Sequence, residues 1–542
     1  MNIKEEICEI IFSSLKELKI DIKLKDIIVE VPKDEKNGDL SCNIAMKLAK
    51  NLKDNPINIA DKIVFLLKSN NAFKEVLVAK PGFINMYLSD DFILKYVIKI
   101  IDLKDDYGKN NIGNNKKVNI EYVSANPTGI LHLGTARGAA YGDNLSNVLS
   151  FSGYDVTREY YINDGGNQID NLGISIKERY KGLCGMEENI PEDGYHGNEI
   201  IDIAKLIYKD NNSDKLNADL DYFKNIGVEY LLNIIKKDLL SFGVSFDVWT
   251  SEKEIRRKGR IEEALKVFKE KELTYEHDNA LFLRTTVYGD DKDRVLIKSD
   301  NSYTYLVPDI AYHLDKFDRG FEELIDVFGA DHHSYVSRLK ASIKALGYDE
   351  EKLTVKLLQM VKLLKSGTVV KMSKRLGDNV TINELVNEIG KNSARYFFAS
   401  RSLDGQMDFD IDLAVKKSNE NPYYYVGYAH ARICSILNDA KEKNIKPDYN
   451  LKEILNEDTR NLLLKVYEFC DVIKIAAMKK EPHLIANYAY DLASMFHNFY
   501  GKHRILTEDT TITKKNLGLI KLVKITINNA LKMIGVEAPE TM

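Results

Sequence analysis

His132, Gly134, Thr135 and Gly138 stand where an alternating stretch gives way to a helical one. Val118, Ile120 and Tyr122 alternate as one face of a strand does. Ser124-Ala125-Asn126-Pro127-Thr128-Gly129 follows, rich in turn formers. From Leu133 a helical pattern carries Ala136, Ala139, Ala140, Leu145, Val148 and Leu149, and closes at Gly153. A helix start leaves backbone N–H groups without intrahelical partners, and such groups attract anions. The small residues from Gly134 to Ala140 let a large flat ligand lie close to the backbone. Far downstream, Lys352 to Arg375 is a basic run without an acidic residue, and it contains Lys371-Met372-Ser373-Lys374. Lysine is a mobile point charge on a flexible stem, suited to steadying phosphate oxygens. Asp331-His332-His333 invites a metal reading, but a metal needs three or four convergent ligands and no third is evident, so no metal is expected.

These residues need a scaffold larger than one core. The chain has 542 residues, 44% hydrophobic and 29% charged, which predicts an ordinary soluble protein of several domains. The acidic start MNIKEEICEI does not read as a secretory signal. Cys8, Cys42, Cys184, Cys434 and Cys470 form no CxxC pair, which argues against a disulfide framework or a cysteine zinc site and favours a reducing cytoplasm. A net charge of −5 neither announces nor excludes nucleic-acid binding.

Residues 1–110 read as an α+β unit: helices over 3–18, 41–52 and 57–67, a strand at 27–31, and a strand pair at 76–79 and 81–88. Residues 105–115 read as a linker. From 117 onward strands and helices alternate, which predicts a parallel sheet with crossover helices. Residues 183–295 read as an insertion, after which 294–297, 303–307 and 324–329 resume the sheet. Ser366-Gly367 reads as a hairpin turn, and Thr381-Ile382-Asn383-Glu384 as a capping box. From 415 to the end the pattern is all-helical.

Together and in this order, His132-Leu133-Gly134-Thr135 and Lys371-Met372-Ser373-Lys374 resemble the HIGH and KMSKS signatures of class I aminoacyl-tRNA synthetases. SANPTGILHLGTARGAA, YYINDGGNQIDNLG, YTYLVPDIAYHLDKFDRG, VKMSKRLGD, ARYFFASRSLDGQMDFDIDLA, NPYYYVGYAHAR and GVEAPETM resemble, in order, segments of arginyl-tRNA synthetases. PKDEKNGDLSCNIAMKLAK and PGFINMYL resemble that family's N-terminal domain, so the likeness spans nearly the whole chain. It implies an α/β fold: a Rossmann-like parallel-sheet catalytic domain at 111–385 with an insertion at about 183–295, between an N-terminal α+β domain (1–110) and a C-terminal all-α anticodon-binding domain of the DALR type (415–542), reached through a stem at 386–414. It implies a reaction too. Arginine and ATP give arginyl-adenylate and pyrophosphate, and the arginyl group passes to tRNA(Arg), with bound tRNA needed for the first step. ATP, Mg2+, L-arginine and tRNA(Arg) are the expected ligands of a cytoplasmic monomer with no membrane contact.

The resemblance also assigns residues. His132, Lys371 and Lys374 match the catalytic positions, and His132, Gly134, Thr135, Gly138, Met372 and Ser373 match the ATP site. Glu121 and Asn126 match contacts to the α-amino and carboxylate groups of arginine, Asp309 and Tyr305 match contacts to its guanidinium, and His332 lies in the loop closing the pocket. An N-cap role for Asp309 is an alternative. Tyr425, Tyr428, Arg432 and Met542 match anticodon-loop contacts, while Phe83 and Asn85 match the segment that meets the outer corner of the tRNA. Tyr423, Tyr424, Phe496, Phe499 and Tyr500 stay open between RNA contact and core packing. Two positions depart from the family: Thr135 replaces the second signature histidine, and Thr541 a usual arginine. A ligase for another amino acid such as cysteine, and a non-catalytic RNA-binding paralogue, are the alternatives. Asp309 and the lack of a cysteine cluster oppose the first; the intact Lys371, Lys374 and Glu121 oppose the second.

Overall fold

A computed structural model describes residues 2–369 and 381–542, apart from the side chain of Glu35. Lys371, Met372, Ser373 and Lys374 therefore lie outside the described residues. The fold is organised by a five-stranded parallel sheet in the spatial order Leu353–Leu358, Glu323–Gly329, Lys117–Glu121, Asp155–Ile162, Val248–Ser251. The strand Lys117–Glu121 sits in the middle, and Val118, Asn119, Ile120 and Glu121 are all buried, as expected of a strand covered on both faces. Chain order reverses between this strand and Glu323–Gly329. Ligands of doubly wound sheets bind in the crevice at such a reversal, beyond the carboxyl ends of the strands.

The helix Leu133–Phe151 follows the first strand and crosses it closely. A Cβ on Gly142 would lie 2.1 Å from the Tyr122 ring, so only glycine lets the helix settle there. Arg137, buried on the same helix, donates to the carbonyls of Gln359, Ser402 and Gly405 at 2.7–2.8 Å and pins the helix to the segment after the last strand.

Three local expectations need correction. Arg294–Ile297 does not resume the parallel sheet; it pairs antiparallel with Ala280–Leu283 in a separate three-stranded sheet. Residues 303–307 do not form a strand either: a helix spans Leu306–Asp318. Its Pro308 sits in the first turn, where a missing N–H costs nothing. In the N-terminal unit, Ser41 belongs to the strand Leu40–Cys42, and the helix begins only at Ile44. The Val248–Ser251 strand of the parallel sheet falls within the 183–295 span.

Elsewhere pattern and structure agree. Thr381 and Glu384 form the capping box of the helix Ile382–Ile389. Val361–Lys365 and Thr368–Val369 form the hairpin around Ser366-Gly367. The C-terminal region packs the helices Pro422–Glu442, Glu457–Lys479, His483–Lys502 and Thr510–Met533. Phe496 and Phe499 are buried and belong to its core. Arg395 ties the end of this region to the Leu133–Phe151 helix. Fully buried, it donates to Asp143 Oδ2 at 2.6 Å, Asn144 Oδ1 at 2.7 Å and the carbonyls of Phe242, Gly243 and Ile534 at 3.2 Å. The N-terminal domain rests on Glu457–Lys479, where Tyr467 Oη donates to the Ile93 carbonyl at 2.9 Å and Arg460 pairs with Asp39 at 2.5 Å.

Candidate active site and aromatic groove

His132 is the residue before the helix Leu133–Phe151, in extended backbone, and its side chain makes no capping bond. Its ring is therefore free of the cap role and lies beside Gly134: a Cβ there would stand 3.2 Å from His132 Cε1. Partial desolvation lowers the pKa of the imidazole, so the ring donates as a neutral N–H. Thr135 is half-buried in the first turn, while Gly138 is buried, with Leu358 Cδ2 3.3 Å from where a Cβ would be. Thr381 pairs with His132 in an isolated β-bridge, and Ile382 N–H donates to the Leu131 carbonyl at 3.1 Å. The described chain on the C-terminal side of the lysine motif is thus fastened to the helix start.

The crevice at the sheet reversal holds the acids. Glu121 ends its strand, buried; its Oε2 accepts from Lys316 Nζ at 2.6 Å and its Oε1 from Ser124 Oγ at 2.9 Å. Burial raises the Glu121 pKa against the opposing pull of Lys316. Asp326, opposite Glu121 on the neighbouring strand, accepts from Lys316 at 3.0 Å and faces His313 Nε2 at 2.8 Å. Burial pushes the Asp326 carboxyl up, but Lys316 and His313 outweigh it and hold it down at about 2. Both His313 nitrogens face acceptors, since Nδ1 lies 2.7 Å from the Asp309 carbonyl; the imidazolium satisfies both, consistent with a raised pKa in spite of burial.

Asp309 does not cap its helix, because Tyr305 precedes the first helical residue. Its carboxylate instead accepts a hydrogen bond from Tyr335 Oη. Burial raises Asp309 to about 6, and the charges of Glu121 and Glu252 push the same way, which marks the crevice as acidic. An acidic crevice suits a cationic ligand, and a guanidinium prefers a carboxylate fork. Asn126 donates to Gln168 Oε1. Tyr305 is 82% exposed, so its ring is open to solvent. His332 is exposed, with its ring 6.1 Å from Tyr335. Among the described residues no group of three or more His, Cys, Asp or Glu could hold a metal.

Lys316, His313, Asp326, Tyr335 and Glu252 are the residues missed from sequence. One signal was present: Asp309, His313 and Lys316 recur at four- and three-residue spacing, which is a single helix face.

The helical region offers an open groove of about 870 Å³ lined by Tyr424, Tyr425, Tyr428, Arg432, His497 and Tyr500, among others. Tyr428 stacks with Tyr424, ring centroids 6.0 Å apart, and with His497 at 6.0 Å. The Arg432 guanidinium sits 4.5 Å over Tyr428 and 4.7 Å over Tyr500. Met542 packs on the same helix: its Sδ would be 2.9 Å from a Cβ on Gly427. Tyr424 and Tyr500 thus line the groove, whereas Tyr423 leans on Tyr396 at 6.3 Å. In the N-terminal domain Phe83 is exposed and Asn85 is buried, accepting from Ser41 Oγ at 2.8 Å.

Three family models match the chain in succession: the arginyl tRNA synthetase N terminal domain over residues 5–88, the class I (R) tRNA synthetase catalytic domain over 97–401, and the DALR anticodon binding domain over 426–542. An arginine–tRNA ligase of Bacillus subtilis is 47% identical over 556 residues, covering 100% of both chains. One from Halalkalibacterium halodurans is 48% identical over 534 residues, covering 97% of this chain and 96% of its own. The solved arginyl-tRNA synthetase of Thermus thermophilus shares the fold, with a TM-score of 0.79 at 21% identity over 100% of both chains. The central sheet, the N-terminal unit and the helical region thus correspond to the three matched domains, and the chain belongs to the arginyl-tRNA synthetases, the class I arginine–tRNA ligases.

Proposed function

We propose that this chain joins arginine to tRNA(Arg) by laying the amino acid along the acidic crevice and ATP across the start of the Leu133–Phe151 helix. The observation that carries the reading is the acidic crevice at the sheet reversal, with Glu121 at one end and Asp309 on the adjoining helix. Glu121 and Asn126 take the α-ammonium and carboxylate, and Asp309 takes the guanidinium. The carboxylate oxygen attacks the α-phosphorus, a C(O)O–P bond forms, and the bond to the β-phosphate oxygen breaks to release pyrophosphate. A ribose hydroxyl of the tRNA end then attacks the carbonyl carbon and AMP leaves. Such chemistry needs position and placed positive charge more than covalent help. The free amides of the first helical turn and His132 face the phosphates, and Lys371 and Lys374 steady the departing pyrophosphate. Mg2+ fits as a companion of ATP, since it keeps most of its shell on phosphate oxygens and water.

The open aromatic groove takes the anticodon loop, through Tyr425, Tyr428 and Arg432, with Met542 beside them; Phe83 meets the outer corner of the tRNA and Asn85 holds that segment in place. Among the described residues no helix is long and apolar enough to cross a membrane. A monomer working in the cytoplasm is part of the same proposal. Arginine-dependent ATP–pyrophosphate exchange, with and without cognate tRNA, tests the reading. Exchange that requires tRNA supports it; none with tRNA present overturns it. Asp309→Ala should raise the arginine requirement far more than the ATP requirement.

A further inference from the structure

In the placement proposed above, Glu121 and Asp309 hold opposite ends of one extended amino acid, and a continuous buried chain of bonds links the Glu121 carboxylate to the backbone of Asp309. Lys316 is 0% exposed and spans Glu121 Oε2 at 2.6 Å and Asp326 Oδ1 at 3.0 Å. Those two carboxylates stand opposite each other on adjacent parallel strands. Lys316 itself comes from the helix that carries Asp309. One turn earlier on that helix, His313 bridges the second oxygen of Asp326 and the carbonyl of Asp309, at 2.8 and 2.7 Å. Bonds therefore run without a break from the Glu121 carboxylate to the backbone of Asp309, through two strands and one helix. Ser124 holds the remaining Glu121 oxygen at 2.9 Å, so the carboxylate cannot rotate.

Stability alone is a poor reason for such a lysine. A buried ion pair is often matched or bettered by apolar residues of equal volume. What an apolar replacement cannot do is fix where two carboxylates point. We propose that Lys316 is a positioning residue that sets the separation between Glu121 and Asp309, and so selects the amino acid by the distance from its α-ammonium to its distal cation. This rests on the placement of arginine proposed above.

The test measures tRNA-dependent AMP formation with arginine and with its homologues one methylene shorter and one longer. The wild-type enzyme is measured first. No AMP formation with arginine overturns the underlying placement, and this proposal with it. In a folded Lys316→Met enzyme the arginine KM should rise about tenfold or more while the ATP KM stays within about twofold, and the preference for arginine over the longer homologue should fall about fivefold or more. An unchanged preference overturns the proposal, as does a parallel rise of both KM values, which would mark a loosened fold. Lys316→Met leaves two buried carboxylates facing each other, so Asp326→Asn serves as the second variant. It keeps the volume and the Lys316–Glu121 pair while replacing the charged bond from the lysine to the neighbouring strand by a weaker one to a neutral acceptor. Its preference should fall in the same direction, and a folded Asp326→Asn enzyme with wild-type preference overturns the proposal even where Lys316→Met does not fold.

Discussion

Tyr335 donates its phenolic proton to Asp309, the one carboxylate in the crevice whose pKa burial lifts to about 6. The hydrogen bond favours the ionised form and so holds the value down against burial. A guanidinium stays charged throughout, so with arginine seated on Asp309 as proposed, its binding needs Asp309 ionised. The arginine KM should be flat above pH 7 and rise towards tenfold per unit as pH falls below about 6. Tyr335→Phe removes a hydrogen bond to a charged group, worth about 1.5–3 kcal/mol, and should move that break upward by about one to two units. Steady-state kinetics from pH 5 to 8.5 checks both. A break that stays put in Tyr335→Phe would show that another group titrates.

The same raised value has a consequence for the free enzyme. A carboxyl whose pKa is higher folded than unfolded adds stability below its unfolded value, near 3.8, and loses that stability as pH rises through about 6. At pH 8 the ionised Asp309 therefore opposes folding. Asp309→Asn keeps the acceptor for Tyr335 and removes the charge, and it should stabilise the enzyme at pH 8 by about 1–2 kcal/mol. That gain should vanish near pH 4, while arginine binding is lost at both. Thermal melts of the two proteins at pH 8 and pH 4 give the comparison; equal shifts at both pH values would refute the electrostatic account.

How far the sequence led depends on whether a feature is local. The capping box at Thr381, the hairpin at Ser366-Gly367 and the helix from Leu133 are set by neighbours in the chain, and they read true. Arg294–Ile297 is correctly a strand, but alternation cannot say which sheet a strand joins, and it joins the small antiparallel one. Val248–Ser251 escaped notice because four residues at the sheet edge, none of them fully buried, carry little pattern. Glu121 and Asp309 were singled out through motif likeness, and the structure places both at the crevice. Lys316 was not, since in a helix reading LVPDIAYHLDKFD it looks like one more surface charge. Only the packing of that helix over two strand ends shows it fully buried.

In the helical groove, aromatic planes and one guanidinium present the surfaces on which unpaired bases stack. Each stacked base is worth about 1–3 kcal/mol by alanine substitution. Tyr428→Ala removes the ring that Tyr424, His497 and Arg432 all lean on, and should raise the tRNA KM about tenfold or more. Activity at saturating tRNA should hardly change. Phe496→Leu, in the buried core of the same helical region, should lower the melting temperature and leave the tRNA KM near wild type. Charging assays across tRNA concentrations, beside melts, separate a contact residue from a packing residue.

Thr135 is the third residue of the helix that His132 precedes, half-buried in its first turn. With ATP placed as proposed, a threonine hydroxyl there gives the phosphates a neutral hydrogen bond. An imidazolium would give a charged one, stronger by about 1 kcal/mol or somewhat more. If the extra strength appears only as phosphate charge builds up, it acts on kcat and not on KM. Thr135→His should therefore raise the adenylation rate about tenfold with the arginine KM unchanged. The positive end of the helix dipole opposes an imidazolium there, so the added histidine is neutral in alkali and charged only towards acid. The gain measured at saturating arginine should thus grow as pH falls from 8 to 6.5. A gain independent of pH would mean that the new ring improves fit and not charge. A loss of rate would mean that the site is shaped around one histidine and has no room for a second.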